Sequence, residues 1–92
     1  MNKQTIIKHL EHSGKFLVIG KGSDKIAHVI DDLHTGGSSI FMDINTLPKK
    51  TQQTFYNLLR EKDRIVIGTI QKEVKLPKII KEKCMILRMG VE

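Results

Sequence analysis

The stretch best equipped for chemistry is Gly20-Lys21-Gly22-Ser23-Asp24-Lys25. Its glycines free the backbone to turn. A helix opening there would aim N–H groups outward, and two lysines add positive charge, a combination that suits an anion. Gly20, Lys21, Gly22, Ser23 and Lys25 are therefore candidate nucleotide- or anion-binding residues. The plainer alternative is a tight strand-to-helix turn with solvated lysines. Asp43 follows an apolar run and can hold a metal or a substrate hydroxyl, or cap the loop after it. His9 and His12 stand three apart on one helical face, but no further ligand completes a metal set in a recognisable spacing. Ser38-Ser39 lacks the turn of a nucleophile elbow, and no Ser/His/Asp or Cys/His signature occurs, so no catalytic residue is assigned. No metal site is expected.

Positive charge is the other resource. The chain of 92 residues has 16 Lys+Arg against 10 Asp+Glu, a net charge of +6. Lys49, Lys50, Arg60, Lys62 and Arg64 flank one helical pattern and are candidate nucleic-acid contacts, because a phosphate backbone rewards lysines through counterion release. Lys72, Lys75, Lys78, Lys81 and Lys83 form a second cluster. The aromatics Phe16, Phe41, Phe55 and Tyr56 are few, and at least three belong in a core rather than in a stacking platform. A lysine-rich solvated surface is the competing reading.

These residues need elements to position them. Phe16 to Ile19, Ile40 to Met42, Ile65 to Ile67 and Met85 to Leu87 are short continuous apolar runs, the pattern of strands covered on both faces. Ile26, Val29, Ile30 and Leu33 fall at i, i+3, i+4 and i+7, and Phe55, Leu58 and Leu59 repeat that spacing within Lys49 to Lys62, each an apolar stripe on one helix face. A weaker helical pattern runs from Lys3 to His12 and ends before Gly14, as at a helix C-terminus. Ser23 and Asp24 are suited to cap the second helix. Gly36-Gly37 ends it. Pro48 suits the first position of the third helix, and Pro77 opens a short turn over Lys78 to Lys83. Alternating helices and strands predict one α/β domain over residues 1–92. Its architecture is a small three-layer sandwich with a four-stranded, mainly parallel sheet flanked by helices. Ligands of such sheets sit beyond the strands' carboxyl ends, here Gly20 to Lys25, Asp43 to Leu47 and Thr69 to Lys72.

The stretch Gly36-Gly37-Ser38-Ser39-Ile40-Phe41-Met42-Asp43-Ile44-Asn45-Thr46-Leu47-Pro48, with Gln52, Gln53 and then Arg64-Ile65-Val66-Ile67-Gly68-Thr69, resembles a known pattern. It is similar to the Walker B to sensor 1 region of AAA+ ATPases, and most of all to the sigma-54 interaction domain of bacterial enhancer-binding transcription activators. The resemblance runs from about Gly36 to Met89, with Phe16 to Leu33 as a first strand, loop and helix. It implies a truncated P-loop-like core in which Asp43 matches the Mg²⁺-holding aspartate and Gln71 stands near the polar sensor.

The departures weigh against hydrolysis. The first loop lacks the Gly-x4-Gly-Lys-Ser/Thr spacing that cradles phosphates, and Asp24 would repel a triphosphate. Ile44 stands where the family has its catalytic glutamate, and the second strand has no counterpart. Phosphoryl transfer depends on positioning and electrostatics, so such a core should not turn over ATP.

The expected function is thus a non-catalytic AAA+-like module that binds a regulatory protein partner, with transcription regulation as its setting. A basic nucleic-acid-binding accessory protein is one alternative. A small nucleotide switch or enzyme built on Lys21, Ser23, Asp43 and Gln71 is another. No cofactor is expected, and Mg²⁺-ATP is the one the resemblance raises. No apolar run approaches the ~18 residues of a membrane span, and Met1 to Leu10 has no signal-peptide core. With the single Cys84, expected buried and inert, this predicts a cytoplasmic protein without membrane partners. Oligomeric state is left open.

Overall fold

The computed structural model describes residues 3–12, 14–33, 38–72 and 75–89. The Gly36-Gly37 pair, His34 and the side chain of His12 lie outside the described residues. The elements are α1 (Lys3–His12), β1 (Lys15–Ile19), α2 (Ser23–Leu33), β2 (Ser39–Phe41), a 3-10 turn (Ile44–Thr46), α3 (Lys49–Leu59), β3 (Val66–Ile70), α4 (Lys78–Lys83) and β4 (Met85–Arg88). The four strands form one sheet in the order β2-β3-β1-β4. Every pairing is parallel, with Lys15 opposite Val66, Phe16 opposite Met85 and Ser39 opposite Val66.

The layers follow from that order. Passing from β1 to β2 moves the chain one way across the sheet, and the two later crossovers move it back. Right-handed crossovers then require α2 on one face and α3 with α4 on the other. The core divides in that way. Phe16 and Val18 of β1 and Ile67 of β3 pack with Ile6 of α1 and with Ala27 and Ile30 of α2. Leu17, Ile19, Val66 and Ile70 point to the opposite face and meet Phe55 and Leu59 of α3, Ile80 of α4, and Ile44. The α/β three-layer sandwich expected from the apolar runs is the architecture found.

Local details differ from the sequence reading in four places. Strand β3 runs to Ile70, because Gly68 and Thr69 pair with Leu17 and Val18. Gly68 belongs inside a strand because a Cβ there would lie 2.4 Å from Ile44 Cδ1 and 2.8 Å from the Phe55 ring. In α2 the buried stripe is Ser23, Ala27 and Ile30, while Val29 is 43% exposed. Pro48 immediately precedes α3 in extended backbone rather than occupying its first position, whereas Pro77 opens a helix over Lys78–Lys83 as expected. Neither Ser23 nor Asp24 caps α2. The Ser23 hydroxyl is buried without a partner, and the Asp24 carboxylate turns to Thr69. Gly14 behaves as expected: at φ 66° it donates its N–H to the His9 carbonyl and closes α1.

Candidate functional site

Connections leave the adjacent strands β1 and β3 toward opposite faces of the sheet, which makes their carboxyl ends the topological switch point where open α/β sheets bind ligands. Three segments meet there: the turn after β1, the loop after β2, and the end of β3. Thr69 links them. Its side chain is fully buried. Its hydroxyl accepts the Asp43 N–H at 2.8 Å and donates to Asp24 Oδ1 at 3.3 Å. Asp43 adopts left-handed backbone (φ 47°, ψ 63°), and its carbonyl accepts both the N–H and the hydroxyl of Thr46 at 2.9 and 2.8 Å. The turn that re-aims the chain after β2 is therefore fastened to β3 and to α2 through one hydroxyl.

The glycine loop is also closed on itself. Gly20 donates to the Ile70 carbonyl at 2.8 Å, and the Gly20 carbonyl accepts the Ser23 N–H at 3.1 Å. Gly22, at φ 87°, supplies the positive φ of a type II turn's third residue. The Gly22 carbonyl then takes the N–H groups of Lys25 (3.1 Å) and Ile26 (3.4 Å). Gly20 is a glycine because its backbone abuts Met89: a Cβ would sit 2.6 Å from the Met89 carbonyl oxygen. The amides of Gly20, Ser23 and Lys25, half of those in the loop Gly20 to Lys25, thus serve the chain's own carbonyls.

Of the anion-site candidates, the fold gathers Gly20, Lys21, Gly22, Ser23 and Asp43 at the switch point. Lys25 lies on the first turn of α2, exposed, and Gln71 is exposed just past β3. Thr69, expected only as the start of a strand-end segment and not as a site residue, is the polar group that joins the loops. Its signal was the Gly68-Thr69 pair at the end of an apolar run.

The basic candidates divide. Helix α3 has 11 residues, about 16 Å at 1.5 Å per residue. It separates Lys49 and Lys50, at the carboxyl end of the sheet, from Arg60, Lys62 and Arg64 at the amino end. Arg64 pairs with Glu61 at 3.2 Å. Lys21, Lys25, Lys72, Lys75 and Lys78 join Lys49 and Lys50 around the carboxyl end, all exposed. Phe16 and Phe55 are buried and Phe41 packs edge-on to Phe55 at 5.3 Å, so these rings belong to the interior.

The amino end holds a residue that sequence reasoning missed. Lys15 opens β1 and is only 4% exposed. Its ammonium group donates to the Arg64 carbonyl, and its own carbonyl accepts from His9 Nε2 at 2.8 Å. Burial lowers its pKa, and Arg64 acts in the same direction, against the opposing pull of Cys84 and the acids Glu61 and Asp63. Cys84 immediately precedes Met85, the partner of Phe16, and so neighbours Lys15 across the β1–β4 pair. Burial pushes its thiol up to about 12. Asp31 has a structural task, accepting the Ser38 N–H at 3.1 Å. Among the described residues no three His, Cys, Asp or Glu side chains come together to hold a metal, and no helix is long and apolar enough to cross a membrane.

Comparison with protein-family models, curated proteins and solved structures finds no match to this chain.

Proposed function

We propose that this chain is a non-catalytic AAA+-like module that acts by binding, its lysine-rimmed carboxyl end docking an acidic surface of a regulatory protein in the cytoplasm. Transcription regulation is the setting that the resemblance to sigma-54 activators suggests. The observation that carries this reading is the closed turn from Gly20 to Ser23. The strand that leads into Asp43 lies beside the Thr69-bearing strand, the order that the AAA+ resemblance implies. Yet the amides at both ends of the turn, Gly20 and Ser23, bond their own chain, and the Asp24 carboxylate held by Thr69 would repel phosphates. What this end presents to solvent is the ring of lysines.

The same lysines favour a second reading, contact with the phosphate backbone of a nucleic-acid duplex. With the aromatic rings in the interior, such binding would be electrostatic rather than by stacking on single strands.

One titration series tests both. Polyglutamate, standing for an acidic protein surface, should shift the amides around Lys49 and Lys72, and the double variant Lys49→Glu/Lys72→Glu should abolish the response. Absence of any response to polyglutamate at low salt would overturn the protein-docking reading. Tighter binding of a duplex, with a log–log salt slope near −0.9 per phosphate neutralised, would move the second reading into first place.

A further inference from the structure

We infer that the pocket at the amino end of the sheet is a binding site for a small anionic carbonyl compound, held by the cations at its rim and captured as an imine on Lys15.

The pocket is a solvent-open cleft of about 400 Å³ lined by Lys15, Leu59, Arg60, Lys62, Asp63 and Lys83, with Glu61 between Arg60 and Lys62. It lies at the opposite end of the sheet from the docking face and owes nothing to that reading. Alternation along β1 turns Lys15 to the same face as Leu17 and Ile19, toward α3 and α4. Leu59, 2% exposed, supplies apolar wall. The Glu61 carboxylate is engaged by Arg64 at 3.2 Å. Asp63 then stands against Arg60, Lys62 and Lys83, so the mouth carries a cationic excess.

Two physical features equip Lys15 as a nucleophile. Its Nζ is held at one place by the Arg64 carbonyl rather than swinging in solvent. It is also desolvated, which favours the neutral amine over the ammonium ion. Cys84 cannot reverse this as a counter-anion, because its own burial keeps the thiol protonated at neutral pH. A lysine desolvated in a pocket beside other cations is the arrangement that forms Schiff bases with carbonyl substrates.

The step balances without an oxidant or reductant. The Nζ lone pair adds to the carbonyl carbon, the carbonyl oxygen gains the two amine protons and leaves as water, and a C=N bond remains. The rim cations select the ligand's anionic group, and the 400 Å³ volume limits it to a small molecule.

Pyridoxal 5′-phosphate is the probe, with pyridoxal as the control that lacks the anion. Each is added at one equivalent to the intact protein, reduced with borohydride, and located by peptide mass mapping. Lys15 should be labelled ahead of the exposed Lys72 and Lys75, and pyridoxal should label it about tenfold less. Lys15→Met should remove the adduct. Should that variant fail to fold, the exposed pair Arg60→Ala/Lys62→Ala keeps the fold and should erase the preference for the phosphate ester. Label spread over exposed lysines with Lys15 untouched would overturn the proposal. So would equal labelling of Lys15 by the two aldehydes.

Discussion

The two ends of this sheet handle charge in opposite ways. At the carboxyl end the buried group is neutral: the Thr69 hydroxyl ties Asp43 to Asp24 at 2.8 and 3.3 Å, and the lysines stay outside in water. At the amino end the buried group is a lysine, 4% exposed, beside a thiol that is also partly buried. Exposed lysines keep their hydration and act at a distance, so salt screens them. A desolvated lysine shifts its protonation instead and becomes a chemical group. On the two readings proposed here the same residue type would serve long-range attraction at one end and reactivity at the other, with position in the fold deciding which.

The largest effect on stability belongs to the carboxyl end. Gly20→Ala puts a side chain at φ 113° with its Cβ 2.6 Å from a backbone oxygen. Backbone strain and overpacking of about 1–3 kcal/mol each apply there, so the variant should lose roughly 2–6 kcal/mol in urea unfolding. Gly22→Ala meets nothing within 4 Å and carries only the φ 87° penalty, about 1–2 kcal/mol. Equal losses for the two would contradict the close approach to Met89.

The amino end can be probed by pH. The Cys84 thiol sits at about 12 against an ordinary 9.0. Between those values the native state keeps a proton that the unfolded chain gives up, so stability falls as pH rises. At pH 10.5 the loss should reach about 2 kcal/mol, and Cys84→Ala should be spared it. Lys15 has the opposite sign. Its pKa lies below the ordinary 10.5, so the native state sheds a proton that the unfolded chain holds, and its contribution grows with pH up to that value. An identical alkaline decline in wild type and Cys84→Ala would refute the buried thiol.

Thr69→Val should cost about 1–3 kcal/mol, the penalty for leaving the Asp43 N–H without its acceptor. Thr69→Ser should restore most of this, and neither change should alter labelling at Lys15. The smallest effect on folding belongs to the rim. Lys49→Glu and Lys72→Glu should each stay within about 0.5 kcal/mol of wild type while weakening attachment to a polyanion. Arg60→Glu, at the other end, should leave that attachment unchanged.

Much of the architecture was legible because it rests on local pattern. Phe16 to Ile19 reads as a doubly covered strand, and Phe55 and Leu59 as one helix face, whatever their neighbours are. Strand order is not local, and the functional geometry depends on it. Thr69 reaches Asp43 because β3 lies beside β2, and Asp24 because β1 lies on its other side. Asp24 looks like a helix cap in sequence, yet Thr69 competes successfully for its carboxylate. Lys15, just ahead of the apolar run from Phe16, gives no sign of burial in the sequence. Its burial comes from Leu59 and the 60–64 segment, more than forty residues away along the chain, covering it. The glycine loop was visible, but its spacing could not reveal that Gly20 faces Met89 rather than a ligand.

If the carboxyl end docks a partner without serving as a nucleotide site, it should be silent in a titration of isotope-labelled protein with Mg²⁺-ATP to millimolar concentration at physiological salt. Backbone amides from Gly20 to Lys25 and around Asp43 should keep their positions. Saturable, Mg²⁺-dependent shifts confined to those amides would contradict the account.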